Sequence, residues 1–177
     1  MDTQPPHKHL LLTVGATATF PALVHLLTKP ALLTDLHRRG FTHIHVQTGP
    51  ASSQSWLDVF LAEMQLAEAA YRMHIEVFPH KDSLCDDMVL CQACVDSRPP
   101  RTQGLILAHA GTGTVLDAWR VGVPIIIYPN PSLLDNHQDE LAAEIERQDY
   151  GIRGNLECVC VCVCVCVHAC MCVCVCV

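Results

Sequence analysis

Most of the sequence is poor in cysteine, and no cluster of basic residues is present. Nine of its 12 cysteines lie in residues 158–177, so the first 157 residues contain only Cys85, Cys91 and Cys94. Three cysteines and no signal-like start exclude a disulfide framework and predict a reduced, cytosolic protein. There are 11 Lys and Arg against 18 Asp and Glu. Because no basic run is present, general nucleic-acid binding is also excluded.

Several catalytic and cofactor motifs are missing as well. We find no GxGxxG, no GxxxxGK[ST], no HExxH and no nucleophile elbow. Cys91-x-x-Cys94, together with Cys85 and His80, lacks a second ligand pair at a zinc-like spacing, so no metal site is predicted there. His43 and His45 share one face of a predicted strand, and we expect them to be ordinary exposed positions.

Residues 158–177 form a second segment in which Cys and Val alternate almost without interruption. We interpret this tail as a translated dinucleotide repeat, because repeated GTGTGT encodes Val-Cys. The alternative is a membrane anchor, since 20 residues whose only polar member is His168 are long enough to span a bilayer. No Lys or Arg cluster flanks the tail, which disfavours an anchor. The predicted folded domain is therefore residues 1–157.

Within that domain, short apolar segments alternate with helix-like segments. The predicted strands are 9–14, 42–47, 74–78, 104–108 and 124–128. The predicted helices are 21–29, 31–39, 56–70, 115–121 and 136–148, with a further helix and a polar loop in 80–103. Strands that are mostly apolar and alternate with helices are typical of a parallel sheet covered on both faces. The predicted fold class is α/β, a doubly wound Rossmann-like sheet.

The loops after the predicted strands are rich in groups that bind ligands. Predicted strand 104–108 is followed by the loop HAGTGT (109–114) and then by a helix. This loop suits a diphosphate, because glycines admit close backbone approach and a helix N-terminus favours an anion. A plain glycine-rich turn is the alternative. The loop NPSLLDNHQ (130–138) suits sugar hydroxyls, although Asp135 or Asn136 as a helix cap explains part of it. GATATF (15–20) is the third loop at the same edge.

Asp117 follows the HAGTGT loop by about one helical turn. Its carboxylate is placed to accept hydrogen bonds from a ribose diol. A solvated carboxylate on the helix surface is the alternative.

Three segments taken together resemble one known family. LLTVGATATF, LILAHAGTGTVLDAWRVGVPIIIYPN and LLDNHQDELA are similar to the catalytic subunits of the eukaryotic two-subunit N-acetylglucosaminyltransferases, in glycosyltransferase family 28. The likeness runs from about His9 to about Glu157, and the polar insertion near 91–103 resembles the fungal members. It implies the C-terminal half of a GT-B glycosyltransferase. The implied reaction is inverting transfer of GlcNAc from UDP-GlcNAc to dolichol-diphosphate-GlcNAc in a β1,4 linkage, without a metal or other cofactor.

The resemblance also assigns candidate substrate contacts, residue by residue. Gly111, Thr112 and Gly113 would meet the diphosphate, and Asp117 the ribose, although the family usually has Glu there. The other contacts are Gly15, Thr17, Thr19, His109, Asn136, His137 and Gln138. Of these, the segment holding His137 and Gln138 would recognise the GlcNAc hydroxyls. His109 either contacts ligand or buttresses the loop, and it is the only candidate for a catalytic role. No general base is identified.

The implied partner is a membrane-anchored subunit that supplies the acceptor-binding half and the dolichol-linked acceptor. We therefore expect a cytoplasmic protein that its partner recruits to the cytosolic face of the endoplasmic reticulum. In the family, residues after the DNHQ helix help in docking on that partner, whereas this chain has its Val-Cys tail there. The alternative function is a non-catalytic nucleotide-sugar-binding or truncated regulatory paralogue. A dinucleotide-dependent oxidoreductase is disfavoured because GxGxxG and its downstream acidic residue are missing.

Overall fold

A computed structural model describes residues 5–15, 19–49, 54–132 and 137–157, together with Val163. The strands are β1 (His9–Thr13), β2 (His43–Gln47), β3 (His74–Phe78), β4 (Leu105–His109), β5 (Ile125–Tyr128) and β6 (Ile152–Arg153). The helices are α1 (Pro21–Val24, continued as a 3-10 turn over His25–Thr28), α2 (Pro30–Arg38), α3 (Gln54–Tyr71), α4 (Cys85–Leu90), α5 (Thr112–Val121) and α6 (His137–Arg147).

The six strands form one parallel sheet in the order β3-β2-β1-β4-β5-β6. The chain moves outward from β1 to β3, then crosses back to β4 beside β1 and continues outward in the other direction. The strand order therefore reverses between β1 and β4, and this is the place where open α/β sheets bind ligands, beyond the carboxyl ends of the strands. The predicted doubly wound α/β fold is confirmed.

Alternate side chains of each strand enter two separate apolar cores. Leu10 and Leu12 of β1 belong to the core shared with α1, α2 and α3, which includes Phe60. Leu11, between them, belongs to the core shared with α4, α5 and α6, which includes Val115. The three leucines are fully buried. Burial of such a side chain stabilises the fold by about 1.5–3 kcal/mol, which explains why both faces of the central strands are apolar.

Besides shifts of one or two residues at other element ends, two features differ from the sequence-based prediction. Helix α5 begins at Thr112, three residues before the predicted start, because Gly111 adopts an extended conformation (φ −97°, ψ 125°) and acts as its N-cap. Strand β6 was not predicted. Its two residues pair with β5, and so short a strand leaves no periodic pattern in the sequence.

The expectation that His43 and His45 are exposed was wrong. His45 is only 5% exposed, and His43 is half-buried. Both lie on the face of the sheet that carries Leu11, and the neighbouring side chain of His9 is also 5% exposed. Imidazoles packed against one another, rather than solvent, surround these side chains.

Apart from Val163, residues 158–177 lie outside the described part of the chain, so the interpretation of the tail as a translated repeat stays a prediction. Val163 is helical, fully buried, and part of the apolar core that includes Leu10 and Phe60. Just before the tail, the carbonyl oxygen of Leu156 accepts a hydrogen bond of 2.9 Å from Lys29. Among the described residues, no helix combines the length and the apolar character needed to cross a membrane.

Candidate functional site

The first wall of the site is the end of β1. The hydroxyl of Thr13 donates to Oε1 of Gln47 at the end of β2, and it accepts the amide hydrogen of Gly15 at 3.1 Å. Thr13 is fully buried, and Gln47 is 1% exposed. Gly15 has a φ of +80°, which an L side chain rarely adopts. These contacts fix the path by which the chain leaves β1 at the carboxyl edge of the sheet.

The imidazole of His109, at the end of β4, lies between two glycines. A Cβ atom on Gly15 would stand 2.3 Å from its Cε1, and one on Gly111 would stand 2.2 Å from its Nε2. Both positions therefore need glycine to accommodate this ring. Burial lowers the pKa of His109, and the backbone of Thr13 opposes that shift only in part. Its Nδ1 is buried and makes no hydrogen bond of normal geometry with the described residues.

Helix α5 presents its amino terminus to the same edge. Gly111, its N-cap, supplies no side-chain cap, so the first-turn amide hydrogens of the helix remain available to a ligand. A Cβ on Gly113 would meet nothing within 4 Å, and the φ of Gly113 is not in the left-handed region. Open space over an uncapped helix N-terminus is the geometry that binds phosphate groups.

Asn130 connects the loop after β5 to the loop after β1. Its Nδ2 donates to the carbonyl oxygen of Thr19 at 3.3 Å, and its Oδ1 accepts from the amide and the hydroxyl of Ser132 at 3.1 and 2.7 Å. Its own amide donates to Oε1 of Gln138 at 2.9 Å. Asn130 is 5% exposed, and one buried carboxamide thus holds two loops of the site together.

The predicted site residues that the structure describes form three groups, and His137 lies apart from them. Gly15, His109 and Gly111 are in contact, and Thr19 and Gln138 are joined through Asn130. Gly113 and Asp117 are one turn apart on α5, and His137 begins α6 with a highly exposed side chain 3.7 Å from Glu140. The predicted contacts at Thr17 and Asn136 lie outside the described residues, as does the proposed cap at Asp135.

Asp117 already has an ionic partner on its own helix. Its Oδ1 accepts a hydrogen bond of 2.8 Å from Arg120, three residues on, and the two side chains are 38% and 74% exposed. Asp117 and Gly113 are spaced i, i+4, so they share one face of α5. The side chain is therefore free of the core and one turn from the open space at Gly113.

Sequence reasoning assigned no role to Thr13 or Gln47, and it considered Asn130 only as part of the loop 130–138. These three buried polar residues shape the site by holding its loops. All three are polar residues at a strand end or just after it, since each ends or follows β1, β2 or β5. That pattern is visible in the sequence.

A family comparison matches residues 101–159 to the glycosyltransferase family 28 C-terminal domain. This stretch contains the end of β4, the N-terminus of α5 and the loop after β5. Two curated relatives are each called UDP-N-acetylglucosamine transferase subunit ALG13. The Kluyveromyces lactis protein is 29% identical over 147 residues, 78% of this chain and 75% of the relative. The Yarrowia lipolytica protein is 32% identical over 139 residues, again 78% of this chain but 61% of the relative.

Solved structures agree on the fold. An NMR solution structure of ALG13 superposes with a TM-score of 0.59 at 19% identity, over 90% of this chain and 85% of that one. The crystal structure of MurG from Acinetobacter baumannii superposes with a TM-score of 0.56 at 21% identity, over 86% of this chain and 37% of that one. The chain therefore shares the Rossmann-like α/β fold of these two proteins.

Proposed function

The chain belongs to glycosyltransferase family 28, among relatives called UDP-N-acetylglucosamine transferase subunits, and on this premise we propose that it is the donor-binding subunit of such a transferase. The proposed reaction is transfer of GlcNAc from UDP-GlcNAc to dolichol-diphosphate-GlcNAc, with inversion and formation of a β1,4 bond. This is the second step in the assembly of the N-glycan precursor.

The observation that carries the proposal is the uncapped N-terminus of α5, directly after β4 at the edge where the strand order reverses. Its first-turn amides and the helix dipole would stabilise the diphosphate as negative charge develops on the leaving UDP. Because these groups supply the electrostatic stabilisation, the proposal includes no metal for this step. The open space at Gly113 gives the phosphates room to approach the backbone.

The other proposed donor contacts are Asp117, Gln138 and His137. Asp117, one turn further along the same face of α5, would accept hydrogen bonds from the ribose. Gln138 uses its side-chain oxygen on Asn130, while its amide nitrogen makes no hydrogen bond with the described residues. That nitrogen and the exposed ring of His137 would meet the GlcNAc hydroxyls. His109 is proposed to hold the loops at Gly15 and Gly111 in place.

The acceptor would be bound by another protein. The relatives are named as subunits, which supports a partner subunit in the complete enzyme. We propose that this partner is membrane-anchored, binds the dolichol-linked acceptor, and brings the chain to the cytosolic face of the endoplasmic reticulum. The general base is proposed to lie on the partner.

The donor assignment predicts a specific order of binding. In calorimetric titrations of the chain assembled with its partner subunit, UDP-GlcNAc should bind more tightly than UDP-glucose or NAD. Only UDP-GlcNAc offers both a diphosphate for the N-terminus of α5 and the complete GlcNAc group for the proposed contacts of His137 and Gln138. NAD also carries a diphosphate, so its affinity measures binding to the N-terminus of α5 without the sugar contacts. Equal affinity for NAD and UDP-GlcNAc would contradict the proposal.

A further inference from the structure

Five histidines gather at the amino edge of the sheet, opposite to the donor site. His9, His43 and His74 begin β1, β2 and β3, and the strand register places them side by side. The ring of His43 lies 4.4 Å from that of His9 and 4.3 Å from that of His7, between ring centroids. His45 is the fifth, 5.3 Å from His9. No part of the proposed transfer reaction uses this cluster.

Three members of the cluster have the arrangement of metal ligands. One ring nitrogen each from His7, His9 and His43 lies within 4.8 Å of the others. Zinc–nitrogen bonds of about 2.0–2.1 Å place tetrahedral ligand atoms about 3.3 Å apart, so the three nitrogens need to converge slightly. His7 is half-buried and precedes β1, where its backbone bridges to Arg101. Rotation of its side chain is the smallest movement that closes the site.

Hydrogen bonds fix which nitrogen of His9 is available. Glu76 is a carboxylate and only accepts, so Nδ1 of His45, at 3.1 Å, must carry the hydrogen. In the neutral ring, Nε2 of His45 then accepts, and Nδ1 of His9 at 3.0 Å donates to it. The lone pair of His9 is left on Nε2. In metal sites, a ligand histidine usually donates its other ring N–H to a nearby acceptor, as Nδ1 of His9 does here.

His43 is held in a similar manner. Its Nδ1 lies 2.8 Å from the hydroxyl of Thr42, which also lies 3.2 Å from the carbonyl oxygen of Lys8. When the hydroxyl donates to that carbonyl, Nδ1 of His43 donates to the hydroxyl, and Nε2 of His43 keeps its lone pair. Burial lowers the pKa of His9 to about 3 and that of His43 to about 4, and the neighbouring imidazoles add to both shifts.

We propose that His7, His9 and His43 bind one divalent transition-metal ion of the zinc class, with a fourth coordination position left open to solvent or another ligand. Imidazole nitrogens suit zinc, copper and nickel, whereas calcium and magnesium prefer oxygen. None of the three described cysteines belongs to the groups of possible ligands in the described residues. The ion would tie the segment before β1 to the first residues of β1 and β2.

The proposal is tested by zinc titration of the full-length chain, followed by NMR of the histidine ring nitrogens. We expect the Nε2 resonances of His9 and His43 to shift with the first equivalent of Zn²⁺. The exposed rings of His25 and His37 should be unaffected at that point. Because thiolates are good zinc ligands, we expect the tail cysteines to take up zinc as well. The ring resonances therefore report on the site where total zinc content does not. Unshifted His9 and His43 rings at saturating zinc would overturn the proposal.

Variants give an independent readout. His7→Gln and His43→Gln should each abolish the zinc-dependent shift of the His9 ring nitrogens, whereas the matched control His80→Gln, at an exposed position, should preserve it. Glu76→Ala should weaken binding by about 10- to 100-fold, because it removes the carboxylate that orients His45 and His9. Circular dichroism checks the fold. If His43→Gln does not fold, the test depends on His7→Gln, because His7 lies before the first strand. An unchanged zinc-dependent shift of the His9 ring nitrogens in folded His7→Gln would contradict the site.

Discussion

Replacing Gly113 with valine is expected to lower GlcNAc transfer by about 10²- to 10³-fold, the loss typical of removing one preorganised electrostatic contact to the reacting group. The added side chain would fill the space above the amino terminus of α5 that the diphosphate is proposed to occupy. In the protein without ligand, a Cβ at this position meets nothing within 4 Å. Because the φ of Gly113 is outside the left-handed region, we expect the added side chain to cause no backbone strain.

The same substitution should leave the fold intact. Valine has a higher helix propensity than glycine, and a surface substitution usually changes the free energy of unfolding by less than about 0.5 kcal/mol. Gly113→Ala is the matched control, with a smaller side chain and a smaller expected loss of donor affinity. Transfer rates, donor Kd and thermal unfolding would be measured for both. Wild-type donor affinity in folded Gly113→Val would remove the HAGTGT loop from the donor site.

Asp117→Ala measures the next contact along the helix. Loss of a ribose hydrogen bond would cost about 1–3 kcal/mol, or about 5- to 150-fold in donor affinity. If Asp117 serves only its exposed pair with Arg120, the change should stay below about twofold. The same donor titration that tests Gly113→Val therefore separates these two roles.

The second large effect concerns the partner. The purified chain alone should transfer no measurable GlcNAc to a dolichol-linked acceptor, and addition of the membrane-anchored subunit should restore turnover. The physical reason is that the proposed acceptor site and general base lie on that subunit, while this chain contributes the donor contacts. Label transfer from UDP-[¹⁴C]GlcNAc to lipid would be measured with and without the partner.

Two outcomes of that assay would change the account. Robust transfer by the isolated chain would contradict the division of the site between two subunits. Donor binding without transfer in the assembled complex would favour the alternative, a non-catalytic nucleotide-sugar-binding paralogue.

The sheet was predictable because its strands carry their signal locally. HLLLT, LILAH and IIIY are mostly apolar and lie between turn residues, so the strand positions and the α/β class followed from the sequence. Helix α5 was placed less well. Glycine and threonine at its start are weak helix formers, and the N-cap at Gly111 depends on the end of β4 rather than on local preference.

The site was only partly predictable because its central contacts join distant parts of the chain. Gly15 and Gly111 were predicted as substrate contacts, whereas in the structure both also accommodate the ring of His109. Asn130 reaches Thr19 across 111 positions in sequence. The burial of His43 and His45, on the opposite side of the sheet from the site, was wrongly predicted for the same reason. Strand register brings His9, His43 and His74 together, and no local pattern reports that register.

Hydrogen–deuterium exchange of the assembled complex, with and without saturating UDP-GlcNAc, tests the central claim most directly. The claim is that the donor diphosphate sits on the amino terminus of α5. We predict slower exchange for the amides of Thr112, Gly113 and Thr114 when the donor is bound, and unchanged exchange at the amino ends of β2 and β3. Bound donor with unchanged exchange in the first turn of α5 would contradict the account.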